Sequence, residues 1–309
     1  MEKMGKIVTI ALLVLAPTLF SQKIFTFNSL YDSLEKKLKE QEQKKQERKK
    51  TQYNTLKQAI KKNNIRHTAL LLKYLDINYN GYRGKQTPLH LSAKNGRYQI
   101  SKLLISIGGN VHNKTVTEET PLFFAIRSKR ESLVKLLLYN NAQVFITNDL
   151  LCAPLHEAAR YGCQKTIKLL LQKKIDINAQ NKQGETPLHE AVLANNIESS
   201  KILLSNGANV DLKDNSGDAP IHSACFGGLP PMVKLLWQYK ANINLKGYRK
   251  RTPLHYAVFS KNLELIKFLI SKGADIHAKD YKKLKPIVYL ERNKNPKIYR
   301  FLKNLEQKN

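Results

Sequence analysis

Seven prolines, Pro88, Pro121, Pro154, Pro187, Pro220, Pro253 and Pro286, follow one another at intervals of 33 residues in a chain that has 11 prolines. No other feature restricts the fold as much. A fixed period in the range of roughly 20–50 residues marks a repeat architecture, in which each unit packs only on its neighbours. The letters around the prolines recur as well. Thr87, Pro88, Leu89 and His90 return as Thr186 to His189 and again as Thr252 to His255.

The chemistry of one unit follows from its residues. Thr186 is suited to cap a helix, because its hydroxyl can accept a hydrogen bond from a first-turn amide. Pro187 then stands at the first helical position, where a missing N–H costs nothing. Leu188, Ala191 and Val192 fall on one helical face. After Asn195 and Asn196 a second helix is predicted over residues 197–205, closed by Gly207 in a left-handed cap. The same slot reads Gly108, Asn141, Lys174, Lys240 and Gly273 in the other units, so Lys174 and Lys240 are expected to adopt a left-handed backbone. The segment 208–218 alternates polar and apolar residues like a strand and ends in a turn. Each unit is therefore two antiparallel helices and a protruding loop or hairpin.

On these letters the chain resembles the ankyrin repeat family: the Thr-Pro-Leu-His tetrad, the small residues after it, the leucine run, the Gly-Ala-Asn or Gly-Ala-Asp closure and the polar turn ending in glycine. The resemblance implies an all-α solenoid with hairpin fingers along one edge, and partner proteins as the usual ligands. Six full repeats are expected, at about 82–114, 115–147, 148–180, 181–213, 214–246 and 247–279. Degenerate units, at 54–81 and 280–309, flank them. Lys57, Lys61, Lys62 and Arg66 make the first polar, and Lys285 and Val288 break the tetrad in the last, as capping units require.

Five of the eight histidines, His90, His156, His189, His222 and His255, occupy the tetrad slot. A metal ion would need several imidazoles within about 2 Å of it, whereas helices of neighbouring units lie roughly 8–10 Å apart. The resemblance implies instead that this histidine hydrogen-bonds between loops. Phe123 takes the slot in one unit. The stretch 80–87, Asn-Gly-Tyr-Arg-Gly-Lys-Gln-Thr, has two residues between its glycines, where a phosphate loop needs four. With no nucleotide fingerprint, zincin motif or nucleophile elbow, the sequence points to no enzyme and no cofactor.

The N-terminus is of another kind. Lys3 and Lys6 precede a charge-free apolar run at 7–22. This reads as a secretory signal peptide cleaved near residue 21, or as an uncleaved anchor that tethers the chain to a membrane through residues 7–20. Either implies export, to a secreted, periplasmic or envelope-anchored location; a cytoplasmic location is the alternative. Residues 22–53 form a charged spacer, helical or disordered, in which Glu35 with Lys39 and Glu40 with Lys44 are favourable i,i+4 pairs.

The net charge is +29. Lysines outnumber arginines by 42 to 11, while base recognition favours arginine forks and aromatic stacking. Specific nucleic-acid binding is not expected; attraction to acidic partners is. Cys152 and Cys163 flank a first helix, too far apart to bridge, and Cys225 takes an apolar slot, so no disulfide framework is expected.

In the family, partners meet the finger tips and the exposed end of the inner helices. The slot four residues after the tetrad histidine points that way. It reads Lys94, Arg127, Arg160, Leu193, Phe226 and Phe259, with Tyr161 at the join. The inner face is thus expected to be basic in its first half and apolar in its second, with Tyr248, Arg249 and Arg251 on the adjacent finger. The function expected is a non-enzymatic, monomeric module that binds a protein carrying an apolar anchor and acidic groups. The alternatives are that Phe226 and Phe259 fold down as packing, and that the chain binds polyanions, nucleic acid or an anionic membrane surface, through bulk charge.

Overall fold

The computed structural model describes residues 22–81, 84–290 and 295–308. The chain divides into two compact units, one ending at Thr55 and one beginning at Leu56.

The first unit is described from Gln22 onward, within helix α1 (Gln22–Lys61). The spacer is thus helical, and its helix runs on past residue 54. Residues 30–52 are exposed throughout. Glu35 pairs with Lys39 at 2.8 Å. Leu30, Leu34 and Leu38 repeat every four residues on this helix and stay exposed. The apolar run at 7–20, with its signal or anchor reading, lies outside the described residues. Among the described residues no helix is long and apolar enough to cross a membrane.

The second unit is built of helix pairs. Helix α2 (Ile65–Leu71) starts at Asn64, whose side chain accepts from the His67 amide. Six pairs follow. Their first helices are α3 (Pro88–Lys94), α5 (Pro121–Arg127), α7 (Pro154–Arg160), α9 (Pro187–Leu193), α11 (Pro220–Phe226) and α13 (Pro253–Ser260). Their second helices are α4 (Tyr98–Ser106), α6 (Glu131–Tyr139), α8 (Gln164–Leu171), α10 (Ile197–Ser205), α12 (Pro230–Gln238) and α14 (Leu263–Ser271). First helices pack on first helices and second on second, giving two layers. Leu122, Ile126, Leu133 and Leu137 in one pair, and Leu188, Ala191, Val192 and Leu203 in another, fill the space between them. Pro286–Tyr289 is only a 3₁₀ turn, and α15 (Pro296–Lys308) covers the end with Ile298 and Leu302.

The tetrad histidine ties each pair to the next finger. Its Nδ1 accepts the backbone N–H of the N-cap residue, as at Thr186 to His189, 3.1 Å. Its Nε2 then donates to a carbonyl in the following finger: Glu119 from His90, Glu185 from His156, Asp218 from His189, Leu245 from His222 and Leu284 from His255. No group of side chains suited to a metal occurs among the described residues.

The expected hairpins contain no strands among the described residues. Polar side chains take the place of a strand ladder. Asn181 Oδ1 accepts from the amides of Gln183 and Glu185, and one backbone bond, Asn181 N–H to the Glu185 carbonyl, closes the turn. Asn148, Asp214 and Asp280 repeat this arrangement. Single backbone bonds link one tip to the next, as from Asn215 to Gln183.

Lys174 and Lys240 take φ of 55° and 69°, where Gly108, Asn141, Gly207 and Gly273 stand in the other pairs. The three cysteines are buried free thiols.

Candidate functional site

The slot four residues after the tetrad histidine does not stand alone. In four units it reaches the residue 30 positions ahead, in the next first helix or, for Phe259, in the 3₁₀ turn at Pro286–Tyr289. Arg127 meets Glu157, Arg160 meets Glu190, Phe226 meets Tyr256 and Phe259 meets Tyr289. A side chain at the end of one short helix leans across the layer onto the next.

In the first half these contacts are ionic. Arg127 donates from Nε and Nη2 to the two oxygens of Glu157, both at 2.9 Å, and also holds Glu119 from Nη1 and Nη2. Burial disfavours its charge, but the bonds to Glu157 and Glu119 outweigh that and hold its pKa above the ordinary arginine value. Arg160 donates to Glu190 at 2.7 and 2.6 Å. Burial outweighs this pairing at Glu190, whose carboxyl is pushed up. The expected basic half is thereby corrected. The acidic groups that Arg127 and Arg160 were to find on a partner are supplied by the chain's own Glu119, Glu157 and Glu190. Lys94 is exposed and makes no ion pair among the described residues. Tyr161 is half-buried at the end of α7.

In the second half the two phenylalanines part company. Phe226 is 63% exposed and meets the Tyr256 ring edge-on at 6.3 Å. Leu193 beside it is 55% exposed. Phe259 is packed instead: Tyr289 lies 4.9 Å away, and the Arg251 guanidinium sits over its ring at 5.1 Å. Packing thus holds for Phe259 and fails for Phe226.

Leu193, Phe226, Tyr248, Arg251, Tyr256 and Asp218 line one groove of ≈ 370 Å³. The sequence had singled out four of them. Asp218 and Tyr256 were missed. The Tyr256 hydroxyl donates to both Asp218 oxygens, at 2.9 and 2.7 Å, and the Tyr248 amide donates to Oδ1 at 2.7 Å. Burial and the Asp218 bond push the Tyr256 hydroxyl well above the usual tyrosine range. This finger carries Gly247 where the fingers at Asn148, Asn181, Asp214 and Asp280 have Asn or Asp and the one at Thr115 has Thr. A Cβ there would come within 2.1 Å of Asp218 Oδ1, so the Asp218 carboxylate fills the space that a side chain would take. The finger turns through Tyr248–Lys250 with Arg249 and Lys250 at positive φ. Arg249 lies between the Tyr248 and Tyr281 rings, 5.0 and 5.2 Å from their centroids.

A family model for ankyrin repeats in three copies matches residues 56–149, 122–214 and 201–280, most of the chain. The chain belongs to the ankyrin repeat family. This ankyrin chain is also similar to the crystal structure of the human ASB11 ankyrin repeat domain, with 25% identity and a TM-score of 0.65 over 71% of this chain and 98% of that one. No curated protein sequence matches it. Ankyrin repeats are in general protein–protein interaction modules and typically non-enzymatic. On this ankyrin scaffold, then, the first helices present Arg127 and Arg160 paired with the chain's own carboxylates, and Leu193 and Phe226 exposed.

Proposed function

We propose that the chain is a non-enzymatic module that binds a partner protein through the C-terminal half of its first-helix face and the finger beside it. The observation that carries this is the groove walled by Leu193 and Phe226. Contiguous exposed apolar side chains mark interaction sites, and aromatic and arginine residues are the usual anchors of binding energy. Tyr248 and Arg251 stand at its edge. The self-paired arginines of the first half contribute shape and rigidity to the face.

The full chain, used as bait, tests this through hydrogen exchange on the captured complex. Amides at 189–197, 222–228 and 247–251 are expected to gain protection. Protection confined to the second helices would overturn the proposal. A complex that dissolves steeply with rising salt would favour bulk polyanion attraction instead.

A further inference from the structure

Arg251 differs from the other arginines of this face. Arg127 places four hydrogen bonds on two carboxylates, and Arg160 places two on one. A guanidinium offers five N–H donors. Arg251 makes a single hydrogen bond, from Nη2 to the Tyr289 hydroxyl at 3.3 Å. Its Nε is buried with no partner. Asp280 comes no nearer than 3.9 Å, because its oxygens already accept the amides of Lys282 and Leu284 and the hydroxyl of Tyr289. The side chain is only 16% exposed. Phe259 and Tyr289 hold the guanidinium at 5.1 and 4.9 Å from their ring centroids, so its fork is fixed before any ligand arrives. Nε faces the buried Asp280 carboxylate, so the donors open to a ligand are those of Nη1 and Nη2.

We infer that the partner segment carries a carboxylate side chain next to its apolar anchor, and that Arg251 receives it while Phe226 and Leu193 receive the anchor. This rests on the groove reading above and names the partner's chemistry. A planar fork matched to two carboxylate oxygens is the strongest pairing open to arginine. The surroundings agree in sign. Arg249, Lys250, Lys282 and Lys283 crowd the two neighbouring finger tips and form no ion pair among the described residues. Asp218 is the one acidic group lining the groove, and Tyr256 and the Tyr248 amide already engage it. A cationic segment would meet these finger-tip charges and be repelled. The Tyr248–Arg249–Tyr281 stack could also suit the bases of a single strand, but the aliphatic wall of Leu193 favours a side chain.

The test uses the full chain and a random nine-residue peptide library displayed on phage. The enriched sequences are expected to pair an aromatic or large aliphatic residue with Asp or Glu within three positions. The best peptide is then synthesised with its acid and with the matching amide. The acid form should bind the unchanged chain at least about tenfold more tightly, as expected for a charge-assisted hydrogen bond. In Arg251→Gln the two forms should bind alike. Equal binding of both forms to the unchanged chain overturns the inference, and that comparison needs no variant to fold. A library that enriches no acidic sequence overturns it too, as does displacement of the peptide by a thymidine dodecamer. Phe226→Ala separates the two levels. If it weakens both peptide forms while acid and amide remain equal, the groove stands and the carboxylate inference falls. If it changes nothing, the groove reading itself falls.

Discussion

Arg160 grips Glu190, 30 residues ahead, through two hydrogen bonds of 2.7 and 2.6 Å, and the Glu190 side chain is 2% exposed. The same step along the chain joins Phe226 to Tyr256. One geometric slot thus supports either an ion pair or an aromatic pair. Removing one member of a buried pair leaves a charge without compensation, which costs about 3–5 kcal/mol when both are buried. Arg160 is half exposed, so Arg160→Ala should cost less, about 1–3 kcal/mol. The double change Arg160→Phe with Glu190→Tyr copies the pair found two units on and should recover most of the loss. Chemical denaturation of the three variants checks this. A double variant no better than Arg160→Ala would show that the slots are not equivalent.

Lysines sit where glycine would be relaxed. Lys240 holds φ at 69°, and a left-handed backbone costs a residue with a Cβ about 1–2 kcal/mol. Glycine returns part of that through the entropy of the unfolded chain. Lys240→Gly should therefore stabilise by about 0.5–1 kcal/mol and raise the melting midpoint by about 1–4 °C. Lys174→Gly should do the same. A lower midpoint in both would contradict the left-handed assignment.

The buried histidines predict an acid-side loss of stability. Burial lowers His90 to about 4 and also lowers His156, His189, His222 and His255 from their ordinary value of 6.5. The folded pKa lies below the unfolded one, so the unfolded chain takes up protons first as pH falls. Stability is then full above pH 6.5 and declines from 6.5 through about 4, at about 1.4 kcal/mol per pH unit for each proton of difference. Melting curves between pH 7.5 and 4.5 read this directly. His90→Phe, which copies the buried Phe123 of the next unit, should flatten the slope by one proton or less. A midpoint that rises as the pH falls would contradict the account.

The basic start and the apolar run at 7–22 predict a mature protein that lacks residues 1 to about 21. N-terminal sequencing of the protein from its native host checks it. Recovery of intact Met1 in a soluble cytoplasmic fraction would contradict the signal and anchor readings together.

The helix pairs were legible because the proline period holds throughout and most units add a cap and a stop: Thr186 caps, Pro187 opens and Gly207 closes where the residue types require it, although two units have Ala153 and Ala219 at the cap and Lys174 and Lys240 at the close. The face was legible only in part. Slot arithmetic pointed to Leu193 and Phe226 and the adjacent finger to Arg251, which line one groove, but it treated Arg127 and Arg160 as free because charge was read one slot at a time. The neutralising carboxylates lie 30 residues on, an offset three short of the period, since the side chain at the end of a first helix leans across to the beginning of the next. Reading the two slots together gives Arg127 with Glu157 and Arg160 with Glu190. The fate of Phe259 had no such signal. It depends on the 3₁₀ turn at Pro286–Tyr289, where the repeat pattern has already failed.

The most direct test of the account is the affinity of a captured partner for Leu193→Ala with Phe226→Ala. Both side chains are exposed, so the melting midpoint should move by no more than about 2 °C. Affinity should fall by at least about 2 kcal/mol, near thirtyfold, as for anchors at the centre of an interface. Unchanged affinity, with the same midpoint, would place the binding surface elsewhere on the chain.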